Sequence, residues 1–332
     1  MTEANVGQTT PAPPARRAFS LDLAHGRDLG IVACFVALFL ALTFSSDVFF
    51  SAQNFATILE QWAPVMIIAV AGTLVLVAGD LDISVGAIFA ISGVAAAKFA
   101  NDTGSVILGC VAAVIAGLAC GLVNAAITLI GRVNSLIGTL GSSLVIRGLA
   151  LLITGGFIVQ AAPVGFDTLG VDSWLGLRWS VWVMFVWVGA VAVLLHLTVF
   201  GRRVFAVGGN IEAARLAGIP VGSVKAVVFV VSGMSAGLAG LLAASKVNAG
   251  QAEVGVGLEF QVLAAIVLGG TSLAGGAGAV WRTVLGVMIL AMIGNGLNLL
   301  AVDPVYQQIV QGTIVVTAVA VDAWAQRGRN KT

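Results

Sequence analysis

Long apolar segments alternate with short polar ones along almost the whole chain. Stretches of roughly 18 or more apolar residues with few charges are typical of helices that span a membrane. We predict ten of them, at residues 29–46, 56–78, 84–99, 105–130, 134–154, 179–199, 224–246, 260–274, 280–300 and 306–325. The pattern therefore indicates an all-α polytopic membrane protein with about ten transmembrane helices.

The amino-acid composition supports this fold class. Of the 332 residues, 59% are hydrophobic and only 9% are charged, which is more apolar surface than a soluble core of this size can bury. The 42 glycines are spread through the apolar segments. Small residues let helices approach closely in lipid, so we expect tight helix crossings at some of them.

The basic residues are distributed unevenly between the two ends of the predicted helices. Twelve of the 16 fall on the side that carries the N-terminus: Arg16, Arg17, Arg27, Arg132, Arg202, Arg203, Arg215, Lys225, Arg282, Arg327, Arg329 and Lys331. Lys98, Arg178 and Lys246 fall on the other side. Cytoplasmic loops carry the excess of Lys and Arg, so we predict that both termini are cytoplasmic.

This topology divides the chain into three parts. Residues 1–28 are polar and rich in proline, and we predict a disordered cytoplasmic tail there. The transmembrane domain covers 29–325, and its first apolar segment is too long for a cleaved signal peptide. Residues 326–332 form a short cytoplasmic tail.

The largest charged interval between apolar segments is the predicted loop 201–220. Within it, Asn210 suits the first position of a helix and Glu212 suits the positive end of its first turn. Gly218, followed by Pro220, would end that helix after about two turns. So short a helix is marginal alone in water, so we expect it to lie against another protein.

Two glycine-rich stretches, 78–86 and 268–278, interrupt the apolar pattern. Irregular backbone at membrane depth is tolerated only where it is buried in protein or faces water, so we expect both stretches to border a cavity. In the first, Asp82 and Ser84 suit the start of the third helix. Asp82 either anchors a cytoplasmic turn or takes part in transport.

Polar side chains within the predicted helices are costly in lipid, so each is a candidate functional residue. They are Glu60, Gln61, Asn124, Asn134, Arg147, Glu259, Asn295 and Asn298. Because most are uncharged, they suit a pathway for a neutral polyhydroxylated solute; the alternative is that they form hydrogen bonds between helices. Arg147, in the middle of the fifth helix, either extends toward the exterior or meets an acidic partner.

The loop at about 155–180 should face the exterior, with four tryptophans near its second boundary. They are Trp174, Trp179, Trp182 and Trp187. Indole rings often lie at the level of lipid headgroups, and we favour this role over a platform for stacking sugars.

The sequence offers no arrangement for catalysis. It contains no phosphate-binding motif of the form GxxxxGK[ST] and no nucleophile paired with a base. Cys34, Cys110 and Cys120 are odd in number and lie in apolar segments, and the two histidines, His25 and His196, are far apart. We therefore expect a transport subunit without enzyme, metal or cofactor chemistry. Any ATP-driven step needs another chain.

Five motifs in a fixed order now suggest a family. They are AGDLDISVG (78–86), SLIGTLG (135–141), GRRVFAVGGNIEAARLAGI (201–219), LGGTSLAGG (268–276) and NGLNLL (295–300). Together they resemble the permease subunits of ribose-type bacterial ABC sugar importers over about residues 29–325. Two features depart from the family pattern: Asp80 is an addition to the usual Gly-Ile-Asp-Leu-Ser, and Trp281-Arg282 stands where small residues are common.

The resemblance implies a permease of ten helices in the bacterial inner membrane. It implies pairing with a second copy or a paralogue, a sugar-type ATPase that binds ATP and Mg on the cytoplasmic side, and a periplasmic sugar-binding protein. In the family, the helix that matches 210–218 is the coupling helix in a groove of the ATPase. The candidate coupling residues are Asn210, Glu212, Ala213, Ala214, Arg215 and Gly218, of which we expect Glu212 and Arg215 to make contact. The candidate pathway residues are Asp82, Ser84, Asn124, Asn134, Asn295 and Asn298.

The expected function is import of a monosaccharide or related polyol by alternating access. A branched-chain amino acid permease is an alternative within the same class, although it would favour more fixed charge along the pathway. An ion-coupled secondary transporter and a passive channel are alternatives from other classes, in which 201–220 is a plain connector. No feature of the charge distribution points to nucleic acid.

Overall fold

The computed structural model describes residues 18–303, 305–307, 309–310, 312–313 and 316–317. Within these residues, seven helices are long and apolar enough to cross a membrane. They begin at residues 28, 52, 106, 135, 179, 221 and 280. The chain is thus an all-α polytopic membrane protein, as its pattern predicts, while the count of ten and the cytoplasmic termini stay predictions.

The described helices follow each other in a single bundle. Their bounds are α1 Ala18–Ser45, α2 Ala52–Val77, α3 Val85–Thr103, α4 Val106–Leu129, α5 Ser135–Thr154, α6 Thr168–Val171, α7 Trp179–Leu197, α8 Val199–Gly209, α9 Ile211–Leu216, α10 Val221–Val247, α11 Leu258–Leu268 and α12 Val280–Leu299. Four strands of two residues each complete the structure: β1 Val159–Gln160, β2 Ser173–Trp174, β3 Leu177–Arg178 and β4 Ala249–Gly250. β1 pairs with β4 and β2 with β3, both antiparallel.

Three helices form the centre of the bundle: α2, α3 and α10. The second half of α2 is buried almost without interruption, with Ile67, Val70 and Leu74 fully buried. By contrast, α4 and α5 expose large apolar side chains such as Ile107 and Leu152. In a membrane protein, lipid surrounds such faces, so apolar side chains can be exposed there without another helix packing on them.

Glycines allow α4 and α10 to cross in direct backbone contact, as the composition suggests. A Cβ atom on Gly117 would overlap the Gly233 carbonyl oxygen, and one on Gly121 would lie 2.6 Å from the Phe229 carbonyl oxygen. Gly237 faces Ala113 in the same crossing. This is the small-residue packing by which helices associate in lipid.

The connections between helices gather at two opposite ends of the bundle. At one end, the Gly276 amide donates to the Val77 carbonyl, and Gly208 packs against the same backbone. At the other end, β1 pairs with β4. The segments therefore alternate between two ends from α2 to α12, in the order that the predicted topology requires.

Two predicted segments differ from the structure. The helix expected at 260–274 is α11, which ends at Leu268 and is about 16 Å long, roughly half of a hydrocarbon core. Helix α1 begins at Ala18, so its first residues belong to the segment that was predicted to be a disordered tail. Three predicted parts lie outside the described residues: the tail before residue 18, most of the helix 306–325, and residues 326–332.

The predicted loop 201–220 is largely helical. Helix α8 covers Val199–Gly209 because Thr198 accepts a hydrogen bond from the Gly201 amide and so caps its start. Asn210 then ends α8 and caps α9. The short helix predicted at 210–218 is confirmed as α9, and most of the predicted loop before it belongs to helix α8.

Candidate functional site

Two cavities lie along α2, toward opposite ends of the bundle: α10 and α3 border the larger one, and α11 and the segment 81–83 form most of the remaining wall of the smaller one. The larger, which we call the Glu60 cavity, has a volume of about 320 Å³. Its walls comprise Glu60, Gln61, Pro64, Gly93, Ser180, Gly240, Leu242, Ala243, Ala244, Lys246, Val247, Ala249, Gln251 and Val254. This volume lies within the range of small-molecule sites, and a few polar groups stand on a mostly apolar wall.

Glu60 joins three elements at this cavity. One carboxylate oxygen lies 2.8 Å from the Arg178 guanidinium on β3, and the other lies 2.8 Å from the Lys246 ammonium near the end of α10. The Glu60 side chain is only 16% exposed, which reduces screening by solvent. The two ion pairs therefore hold the loop that carries β3, and α10, against α2 at the edge of the cavity.

The smaller cavity, which we call the Asp82 pocket, lies about 20 Å further along α2. It has a volume of about 10 Å³, room for about one water molecule. Its walls comprise Gly72, Val75, Leu76, Leu81, Asp82, Ile83, Val85, Ser232, Glu259, Val262, Leu263 and Ile266. At this end of α2 the surrounding segments therefore leave almost no open space.

Asp82 lies in a buried network of hydrogen bonds beside this pocket. Its Oδ1 accepts from the Ser84 backbone amide at 3.0 Å and the Ser84 hydroxyl at 2.6 Å, and its Oδ2 accepts from Ser232 at 2.7 Å. Burial raises the pKa of the Asp82 carboxyl, and these hydrogen bonds oppose the rise. Asp82 thus joins the start of α3 to α10.

The network continues through Asn124 into two more helices. The Asn124 amide nitrogen donates to Ser84 at 2.7 Å, and its oxygen accepts from the Ser142 hydroxyl at 2.6 Å. Ser84 and Asn124 are fully buried. Of the predicted pathway residues, the structure therefore brings Asp82, Ser84 and Asn124 together, in an arrangement that also suits hydrogen bonding between helices.

The other three predicted pathway residues lie elsewhere. Asn134 is exposed and caps α5 by accepting from the Leu136 amide. Asn295 forms a reciprocal pair with Asn54, with bonds of 2.8 and 3.1 Å, which joins α12 to α2. Asn298 accepts from Gln307. None of the three borders the Glu60 cavity or the Asp82 pocket.

The prediction that the two glycine-rich stretches border a cavity is confirmed for the first stretch and stays a prediction for the second. The first contributes Leu81, Asp82 and Ile83 to the Asp82 pocket. The second packs closely instead: a Cβ on Gly275 would lie 2.9 Å from the Cα of Gly79. Its backbone contacts α8 and the first stretch, and the Gly276 amide donates to the Val77 carbonyl at 2.9 Å.

Arg147 has a partner of a kind that the sequence did not suggest. Its guanidinium donates to the backbone carbonyls of Ala252 at 3.0 Å and Val254 at 3.3 Å. Among the described residues no acidic group forms an ion pair with it. The carbonyls belong to the turn between β4 and α11, so Arg147 fixes this turn against α5.

The tryptophans divide into a stacked group of three and one that bonds to a neighbouring helix. Trp174 and Trp179 stack with ring centroids 5.9 Å apart and planes at 4°, and Trp182 lies against Trp174. Trp187 instead donates to the Ser235 hydroxyl on α10. The first three remain suited to a headgroup boundary, whereas Trp187 stabilises the contact between helices.

Helix α9 carries the predicted coupling residues. The Asn210 side chain accepts from the Ala213 amide at 2.9 Å, which confirms the predicted cap, and Gly218 adopts φ +78° where the chain leaves the helix. Glu212 and Arg215 form an exposed ion pair at 3.1 Å. Ala213 is exposed but Ala214 is buried against the bundle, so Ala214 belongs to the inner face of the helix.

The sequence missed Lys246, Arg178 and Gln251 as neighbours of Glu60 and Gln61. Arg178 and Lys246 are two of the three basic residues that the charge tally placed on the side opposite the N-terminus, so the sequence contained a signal for them, but the uncharged Gln251 gave none. Ser142 and Ser232 were missed because a serine in an apolar helix can bond to its own backbone.

A bundle of apolar helices, with a cavity along its central helices and a capped helix exposed at one end, defines an integral membrane protein built for transport. The family model described as the branched-chain amino acid transport system / permease component matches residues 54–319. The chain belongs to this family of permeases.

Curated relatives match almost the whole chain. The L-arabinose ABC transporter permease protein AraH of Azospirillum brasilense is 38% identical, over 97% of this chain and 96% of its own length. The ribose import permease protein RbsC of Escherichia coli K12 is 37% identical, over 88% of this chain and 92% of its own. The L-arabinose transport system permease protein AraH of the same strain is 37% identical, over 90% and 92%. No solved structure matches the chain.

These comparisons confirm the resemblance to the permeases of ribose-type ABC importers. The relatives are named as permeases and not as enzymes, in agreement with the expectation of a transport subunit.

Proposed function

We propose that the chain is the transmembrane subunit of an ABC importer that moves a monosaccharide or related polyol into the cytoplasm. The observation that carries this proposal is the similarity, at 37–38% identity over at least 88% of the chain, to relatives named for ribose and L-arabinose. The name of the family model mentions branched-chain amino acids instead. We favour a sugar because the relatives cover the whole permease and not one motif.

Alternating access is the mechanism we propose, with α2, α3 and α10 as its moving walls. Both cavities, one of about 320 Å³ and one of about 10 Å³, border α2, α3 and α10, and α11 closes the smaller one. A solute held in the Glu60 cavity would meet Glu60, Gln61 and Gln251, whose oxygens and amides can bond to hydroxyl groups. The closed Asp82 pocket supports an inner barrier in this conformation, with the Glu60 cavity facing outward.

Helix α9 is the part of the chain that we propose for contact with a separate ATPase. Its outer face carries Glu212, Ala213 and Arg215, and the side chain of Leu216 is 89% exposed. A six-residue helix that exposes a leucine gains stability from a partner surface. We expect ATP and Mg to bind that partner, and not this chain.

The remaining partners follow from the same proposal. An importer needs two transmembrane subunits, so a second copy or a paralogue completes the pathway in the inner membrane. A periplasmic binding protein would deliver the solute to the end that carries Glu60 and the external loop.

Uptake in whole cells tests the energy source and the substrate together. Cells that lack the chain should lose ATP-dependent uptake of ribose or L-arabinose and regain it when the gene is restored. Dissipating the ion gradients with an ionophore, at constant cellular ATP, should leave uptake at more than half its rate.

Three results would contradict the proposal. Uptake that stops with the ionophore but persists without ATP would indicate an ion-coupled transporter. Uptake without either energy source would indicate a channel. ATP-dependent uptake of leucine, with no uptake of any sugar in a panel of pentoses and hexoses, would indicate the amino acid alternative.

A further inference from the structure

A buried ion pair joins the first glycine-rich stretch to the start of α10. The Lys225 ammonium lies 2.9 Å from Asp80 Oδ2, and the two side chains are 11% and 7% exposed. Asp80 Oδ2 has no hydrogen-bond partner among the described residues, so the contact is chiefly electrostatic. Asp80 is also the residue by which this chain departs from the usual motif of its family.

Such a pair is a costly way to hold two segments together. Removing two charges from water carries a large desolvation penalty, and apolar residues of similar volume often stabilise a protein at least as well. The bundle already has extensive apolar packing around this position, with Val77, Val224 and Val228 buried. A contribution to stability alone therefore explains the pair poorly.

The segment that carries Asp80 is connected to several helices. The Leu81 amide donates to Ser135 at 3.2 Å and the Ile83 amide donates to Thr139 at 3.0 Å, both on α5. Asp82 and its hydrogen-bond partners extend these connections to α3, α4 and α10, as described above. A displacement of the segment would therefore move the start of α3 and α5 together.

Lys225 is connected to α9 through a short and tightly bonded stretch. The Ile219 amide donates to the Ala214 carbonyl at 3.0 Å, and the Val224 amide donates to the Pro220 carbonyl at 3.1 Å. The chain thus passes from α9 into the first turns of α10 without a flexible interval. Lys225 lies on the second of these turns.

We propose that the Lys225–Asp80 ion pair transmits movement of α9 to the segment at 78–84 and so couples ATP hydrolysis to opening of the Asp82 pocket. The inference rests on the proposed function, since it needs an ATPase at α9. It makes Asp80 and Lys225 positioning residues that contact neither ATP nor solute. A charged pair suits this role because it resists separation without fixing one side-chain geometry.

The test compares coupling between variants of the complete transporter. The chain, its ATPase and its binding protein are reconstituted in proteoliposomes, and the amount of ATP hydrolysed per molecule of labelled ribose or L-arabinose imported is measured. In D80N and K225M we expect the rate of ATP hydrolysis to stay within twofold of wild type and sugar uptake to fall at least tenfold. The amount of ATP hydrolysed per molecule of sugar imported should therefore rise. K225R should retain coupling, and the double exchange D80K/K225D should recover part of it.

The matched control is the exposed pair Lys98–Asp102 at the other end of α3, with 3.6 Å between its charged atoms. K98M removes the same charge and should leave the ratio unchanged. A wild-type ratio in D80N and K225M, with sugar uptake intact, would overturn the inference while leaving the proposed function in place. If D80N does not insert, an inserted double exchange that remains uncoupled would also overturn it. Failure of the wild type to import any sugar would instead count against the proposed function.

Discussion

At the scale of single residues, Gly208 shows how closely the connections at one end of the bundle are packed. A Cβ at this position would overlap the Val77 carbonyl oxygen and lie 2.8 Å from the Gly276 amide, whereas nothing lies within 4 Å of a Cβ at Gly209. Therefore only position 208 requires glycine for steric reasons. The contact places the end of α8, immediately before α9, against both glycine-rich stretches.

These neighbouring glycines provide a matched pair of substitutions. We expect Gly208→Ala to lower the free energy of unfolding by about 1–3 kcal/mol, because packed backbone must move to admit the methyl group. Gly209→Ala should be neutral or stabilising by up to about 1 kcal/mol, since alanine favours the helix. Thermal unfolding of the purified chain in detergent measures both. Equal losses in the two variants would contradict the packing described here.

Residue-scale predictions from the sequence succeeded where the interaction is local. The cap formed by Asn210 follows from its position before an alanine-rich turn, and the structure confirms it. The bond between Asp82 and Ser232 joins residues 150 positions apart, and no local pattern specifies it. For the same reason the pairing of Lys225 with Asp80 could not be foreseen. The sequence placed Lys225 only among the charges predicted to be cytoplasmic.

At the scale of elements, α9 combines an inner face and an outer face within six residues. Ala214 is buried against the bundle, while Ala213 points outward. The alternation follows from helical geometry, since neighbouring residues are about 100° apart around the axis. A bulky residue at Ala214 would disturb the chain itself, so Ala213 is the informative position.

We expect Ala213→Trp to reduce sugar uptake at least tenfold while membrane insertion and thermal stability stay unchanged. The indole would occupy the surface that the proposed ATPase contacts. Ala33→Trp, on an exposed face of α1, is the control and should retain uptake. Co-purification of the ATPase with each variant measures the contact directly. Undiminished co-purification and uptake with Ala213→Trp would contradict the assignment of α9.

Hydrophobic pattern predicted most of the helices well because lipid requires long apolar segments with satisfied backbone. It failed at α11 and α8 for different reasons. Residues 269–274 were included in a predicted helix but are non-helical, because glycine at 270 adopts φ +78° and the second stretch packs on Val77. Residues 199–209 form a helix despite their charge, because Thr198 caps them and the bundle buries Val204 and Val207.

At the scale of the whole molecule, two cavities toward opposite ends of α2, the smaller one closed by α11, give a physical basis for alternating access. Composition and charge predicted the class of protein and its alternation between two ends. They could not locate the Glu60 cavity, because its walls come from α2, α3, α10 and the connections beside them. Enclosure of space by distant segments is a property of the packed bundle and not of any one segment.

Thiol labelling of the two cavities tests this mechanism most directly. In a chain whose Cys34, Cys110 and Cys120 are replaced by serine, single cysteines are placed at Gln61 in the Glu60 cavity and at Val75 in the Asp82 pocket. Labelling by a small thiol reagent is timed in the reconstituted transporter, without nucleotide and with ATP plus vanadate. Asp102→Cys, exposed at the end of α3, is the control.

We predict that Gln61→Cys is labelled rapidly without nucleotide. Trapping with ATP and vanadate should change the labelling rates of Gln61→Cys and Val75→Cys in opposite directions, each by at least tenfold. The labelling rate of Asp102→Cys should stay the same. Labelling rates at Gln61→Cys and Val75→Cys that do not respond to ATP, or that rise and fall together, would contradict alternating access in this chain.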